Sequence, residues 1–120
     1  MSIVILSGDL MTSSRIAAVA DHLGMPCATA MSLAAIDDRL VEGTRLVVID
    51  LSTAGVEPSV LVPKIRTALA ARPQIVAFGP HVQGELLEEA ETSGCDVVVS
   101  RGEFFARLPE LLSRGVSAVS

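Results

Sequence analysis

Residues 45–52 read RLVVIDLS. Leu46, Val47, Val48 and Ile49 are apolar without alternation, the pattern of a short strand covered on both faces. The run ends on a carboxylate, Asp50, and a polar loop follows, Ser52-Thr53-Ala54-Gly55. An acid there has two readings. It caps its own loop through local backbone hydrogen bonds, or it is the centre of a site at the strand's carboxyl end.

Four other segments resemble this strand. Ile3–Leu6 (IVIL) is short, fully apolar and rich in β-branched residues. Cys27–Met31 (CATAM) is more polar and reads as an edge strand. Gln74–Phe78 (QIVAF) and Val97–Val99 complete the set. Helical segments alternate with them. Thr12-Ser13-Ser14 offers N-cap residues for a helix over Arg15–Leu23, with Ile16, Val19, Ala20 and Leu23 on one face. Gly24 is its stop. Ser32 predicts a cap for Leu33–Val41. A long loop from Ser52 leads to a helix that includes Lys64–Ala71, with Pro63 in its first turn. Val82–Thr92 and Glu103–Leu112 are the last two helices, and Pro109 either kinks the final one or marks its effective start. The tail Gly115–Ser120 is expected to fray.

Strict β-α alternation predicts a doubly wound α/β domain with a parallel sheet and helices on both faces. The chain has 120 residues, enough for one domain, with no linker or internal repeat. In such folds ligands bind beyond the carboxyl ends of the strands. The candidates are therefore Ser7, Gly8 and Asp9; Asp50; Gly79, Pro80 and His81; Ser100 and Arg101.

Composition narrows the function. Half of the residues are hydrophobic but only 2% are aromatic, so the core must be aliphatic. The formal charge of −5 and the absence of a basic run argue against nucleic acid as a partner. No apolar run is long enough for a membrane span, and no signal peptide is evident, so a cytoplasmic location is expected. Cys27 and Cys95 lack metal-ligand spacing and are expected to be free thiols.

These strand-end residues resemble those of response-regulator receiver domains of the two-component, chemotaxis-type family, and the resemblance spans nearly the whole chain. It implies a flavodoxin-like five-stranded parallel sheet of order 2-1-3-4-5 and a single receiver-like domain over residues 1–120. In that family an acid pair after the first strand helps hold Mg²⁺, and a phosphoacceptor Asp ends the third strand. A Ser or Thr ends the fourth strand and a Lys ends the fifth. By resemblance Asp50 is the phosphoacceptor-like residue and Asp9 the second acid of the pair. Gly8 replaces the first acid, Gly79 the hydroxyl residue and Arg101 the lysine. The aromatic expected in the fifth strand is missing, because Val97, Val98 and Val99 are aliphatic. Asp9 and Asp50 would be the Mg²⁺ ligands, with the third charge lost at Gly8, so weak or absent Mg²⁺ binding and no resident cofactor are expected. Arg101 is expected to neutralise Asp50 or Asp9, since guanidinium pairs well with carboxylates.

The expectation is a degenerate, stand-alone receiver, or pseudo-receiver. It would not be an enzyme, and would signal by protein–protein contact without conventional Asp phosphorylation. By resemblance the contact surface, or a homodimer, would use Glu85–Thr92 and Glu103–Leu112. Two alternatives remain. One is a phosphoacceptor receiver that uses Asp50. The other is a small-ligand or flavin-binding flavodoxin-like protein, which the lack of Trp and Tyr disfavours. His81 is a candidate neighbour of the site, or an exposed loop residue.

Overall fold

The computed structural model describes residues 2–80 and 84–117, with side chains through residue 114. Five strands, β1 (Ser2–Leu6), β2 (Cys27–Ala30), β3 (Thr44–Asp50), β4 (Gln74–Gly79) and β5 (Val97–Ser100), form one sheet in the order β2-β1-β3-β4-β5. Every pairing is parallel. Cys27 in β2 and Cys95 before β5 therefore stand at opposite edges, and both thiols are free.

The helices are α1 (Leu10–His22), α2 (Ile36–Arg39, after a 3₁₀ turn at Leu33–Ala35), α3 (Pro58–Ala68), α4 (Gly84–Thr92), α5 (Arg101–Ala106) and α6 (Leu108–Ser117). Alternate residues of β3 explain the two-sided core. Leu46 and Val48 pack with Ile16 and Ala20 of α1, Phe104 of α5 and Leu112 of α6. Val47 and Ile49 pack with Ile36 of α2, Leu61, Val62 and Ile65 of α3, and Ala90 of α4. All three phenylalanines of the chain meet on the first of these faces. Phe78 and Phe104 stack at 4.1 Å, and Phe105 stands edge-on to both.

Five sequence expectations need correction. α1 starts at Leu10, five residues before Arg15, because Asp9 is its N-cap; the Asp9 carboxylate accepts from Met11 N. The hydroxyls of Thr12 and Ser13, read as caps, are satisfied inside the helix, by Asp9 and by the Leu10 carbonyl oxygen. α3 starts at Pro58 and carries Pro63 in its interior, where the ring forgoes one backbone hydrogen bond. It ends at Ala68. The helix expected over Leu33–Val41 is shorter, with one 3₁₀ turn and four α residues. The last helix is divided at Arg107, and Pro109 lies in the first turn of α6, where its missing N–H costs nothing. α6 continues through Ser117, into the expected frayed tail. Val82 and residues 118–120 lie outside the described residues. No helix among the described residues is long and apolar enough to cross a membrane.

Candidate functional site

The carboxyl ends of β1 and β3 lie side by side, with Leu6 in register with Ile49. Ser7 and Asp50 therefore meet just beyond the last ladder pair. Asp50 is 1% exposed and Ser7 is fully buried. A carboxylate this deep must have each oxygen hydrogen-bonded, and it does. Ser7 Oγ donates to Asp50 Oδ2 at 2.8 Å. Ser52 donates twice to Asp50 Oδ1, from its backbone N at 3.0 Å and from Oγ at 2.6 Å. Asp50 thus fixes its own loop through Ser52, and it reaches the strand end of β1 through Ser7.

Gly8 and Thr53 close the arrangement, with Gly8 N donating to Thr53 Oγ1 at 3.1 Å. Above them opens a cleft of about 430 Å³, lined by Gly8, Asp9, Met31, Asp50, Ser52 and Thr53, among others. Asp9 turns away from Asp50 into the start of α1. Its Oδ1 accepts from Met11 N, and its Oδ2 accepts from Thr12 Oγ1 at 2.7 Å. The Thr12 hydroxyl is the main reason that the Asp9 carboxyl stays below the usual carboxylate range; backbone N–H groups of Met11 and Thr12 and the charge of Arg101 add to it.

Of the two acids that Arg101 was expected to neutralise, it stands beside Asp9 and not Asp50. Its Nη2 donates to Thr12 Oγ1 at 2.6 Å and stands 4.0 Å from Asp9 Oδ2. Its guanidinium carbon lies 5.1 Å from the centre of the Phe105 ring. The chain Arg101–Thr12–Asp9 ties the start of α5 to the start of α1, while Asp50 is served by hydroxyls.

Gly79 is buried at the end of β4. A Cβ placed there would stand 3.3 Å from Leu51 Cβ and 3.5 Å from Leu87 Cδ2. The place where a fourth-strand hydroxyl residue would stand is thus tight against Leu51, with Leu87 at ordinary contact distance. Gly8 is open by contrast: its Cβ would meet Met31 O and Thr53 Cγ2 at an ordinary 3.5 Å. His81 lies outside the described residues.

Mg²⁺ seeks octahedral oxygen ligands, with one or two carboxylates among them. The residues present do not fit it as built. Both oxygens of Asp50 already accept hydrogen bonds, Asp9 is engaged as a helix cap, and the described residues hold no cluster of three metal-ligating side chains. Sequence reasoning named Ser7 as a strand-end residue, Ser52 and Thr53 as a polar loop and Thr12 as a cap, and did not join them to Asp50 and Asp9. Their signal is the recurrence of hydroxyls just after β1 and β3.

Neither a family model nor a curated protein matches the chain. Solved structures do. The receiver domain of NtrX from Brucella abortus superposes with a TM-score of 0.77 at 21% identity, covering 97% of this chain and 98% of that one. The beryllofluoride-activated NtrC4 receiver domain dimer gives a TM-score of 0.83 at 12% identity, covering 99% and 98%. The fold is that of a response-regulator receiver domain. NtrX from Brucella abortus in complex with ADP also matches, with a TM-score of 0.78 at 21% identity over 99% of this chain. This chain spans only 28% of that protein's length.

Proposed function

We propose that this receiver-fold domain works by contact with other proteins and does not use Asp50 as a conventional phosphoacceptor. The observation that carries this reading is the clasp on Asp50. An acid that attacks phosphorus must present a free oxygen beside a neutralising cation, since phosphoryl transfer rests on positioning and charge stabilisation. Here Oδ1 of Asp50 already accepts two hydrogen bonds from Ser52, Oδ2 accepts one from Ser7, and Arg101 is held by Thr12 and Asp9 instead of standing at Asp50. Leu51 adds a second obstacle, because its Cβ leaves little room for a side chain at Gly79.

Self-association would use charge. The helix α4 carries Glu85, Glu88, Glu89 and Glu91, and has no basic residue in its last turn. Arg107, between α5 and α6, pairs with Glu103 of α5 and Glu110 of α6, and Arg114 of α6 pairs with Glu110. A homodimer through Glu85–Thr92 and Glu103–Leu112 would exchange these partners between copies and would weaken with salt.

One observation favours the second reading, phosphorylation of Asp50: the acid ends β3 and lines an open cleft together with Asp9. Mg²⁺ titration followed by NMR tests the choice. Unchanged amide signals at Asp9, Asp50 and Ser52 support the interaction domain. Stoichiometric binding that is lost in Asp50→Asn supports the phosphoacceptor.

A further inference from the structure

Among the described residues, three hydroxyls donate to carboxylates: Ser7 and Ser52 to Asp50, and Thr12 to Asp9. They differ in what else can reach them. Ser7 is fully buried. Thr12 is buried too, and its oxygen already accepts from Arg101 Nη2. Ser52 is exposed, lines the cleft of about 430 Å³, and accepts no hydrogen bond on Oγ from the described residues.

An exposed serine whose proton lies on a fixed carboxylate has the parts of an activated nucleophile. Such a site needs a nucleophile–base hydrogen bond, a third group that orients the base, and room for the reacting group. Each has its counterpart. Ser52 Oγ lies 2.6 Å from Asp50 Oδ1. Ser7 Oγ holds Asp50 Oδ2 at 2.8 Å, and the Ser52 backbone N holds Oδ1 at 3.0 Å. That backbone bond already closes the local turn, so the bond from Oγ is not needed for the shape of the loop. The cleft also selects the group to be accepted. Asp9 and Asp50 line it and would repel an anionic phosphoryl group. Met31 and Ala54 offer apolar walls to an uncharged one.

We propose that Ser52 is a site of covalent acylation, with Asp50 as its general base and a small, uncharged activated ester as the acyl donor. Asp50 Oδ1 takes the proton of Ser52 Oγ as the bond from Oγ to the carbonyl carbon forms. The bond from that carbon to the leaving oxygen then breaks, and the leaving oxygen takes the proton from Asp50. The products are an O-acyl serine and an alcohol. Ser7 is a positioning residue. The proposal rests on the reading of Asp50 as clasped and not phosphorylated, and it gives the clasp a chemical use.

The test is incubation of the full chain with p-nitrophenyl acetate at neutral pH, with the label placed by peptide mass. Ser59 is the internal reference, an exposed serine whose hydroxyl has no carboxylate partner among the described residues. Expected is an acetyl group on Ser52 of the folded chain, formed much faster than on Ser59, with the difference erased in urea. Ser52→Ala should remove that label, and Asp50→Asn should slow it about a hundred-fold. Circular dichroism verifies the fold of both variants, and the comparison of Ser52 with Ser59 in the natural chain needs no variant at all. Equal labelling of Ser52 and Ser59 in the folded chain, labels confined to Lys64 or the two thiols, or an undiminished rate in folded Asp50→Asn would each overturn the proposal. Such a failure leaves the account of Asp50 standing. A phosphoryl adduct on Asp50, read by mass in a separate incubation with acetyl phosphate, would sink that account even with Ser52 acetylated.

Discussion

Ser7 Oγ lies 2.8 Å from Asp50 Oδ2, a buried hydrogen bond between residues 43 positions apart. It joins the ends of β1 and β3 and gives a buried carboxylate a neutral partner in place of a cation. Ser7→Ala would leave Oδ2 without its donor. The expected cost is about 1–3 kcal/mol of folding stability, measured by urea denaturation. Ser52→Ala should cost less, because the Ser52 backbone N–H still reaches Oδ1.

Gly79 and Gly8 should respond oppositely to a side chain. At Gly79 the new Cβ would press on Leu51 Cβ at 3.3 Å, so Gly79→Thr should destabilise by about 1–3 kcal/mol. Adding Leu51→Ala should not restore stability, because alanine keeps the Cβ that makes the closest contact and the truncation also loses core packing. Gly8→Ala meets only ordinary contacts and should change stability by less than about 0.5 kcal/mol. Thermal and chemical denaturation of the three variants measure this contrast.

Asp9 gives a pH dependence of definite sign. Its carboxyl is held below the usual range, first by the Thr12 hydroxyl. A lowered folded-state value means that the stabilisation is complete above the unfolded value, about pH 4, and is lost as pH falls through the folded value. Asp9→Asn keeps a competent helix cap and should flatten the fall in stability below about pH 4. Melting temperatures measured from neutral to acid pH show whether it does.

Cys95 should be slow to react. Burial is the main cause that pushes its thiol up to about 11. At pH 8 little thiolate forms, so alkylation by iodoacetamide should be much slower in the folded chain than in urea. The raised value also stabilises the fold below the unfolded thiol value, near pH 8.5, and that contribution fades as pH rises toward 11. Labelling rates at Cys95, read by peptide mass, check the first point.

The strands were legible because each is an apolar run closed by polar or turn residues, and β3 declares itself in VVID. The sheet order was not in those runs; it came with the resemblance. Helix starts were harder. Thr12-Ser13-Ser14 has the chemistry of a cap, but Asp9 stands closer to the strand and takes the first free N–H, so the hydroxyls fall inside the helix. Pro63 looks like a helix start, but Pro58 precedes it and fits that role better. Asp50 could be placed from sequence, yet its partners could not. Ser7 is remote in sequence, and the direction of Arg101 depends on Thr12 and Phe105, which only the packed sheet brings near it.

The central claim is that Asp50 is clasped by hydroxyls and does not accept phosphate conventionally. Incubating the folded chain with acetyl phosphate and Mg²⁺, then reading its intact mass, tests it most directly. The account predicts no phosphoryl adduct, for the natural chain and for Asp50→Asn alike. A stoichiometric adduct on the natural chain that disappears in Asp50→Asn would contradict it.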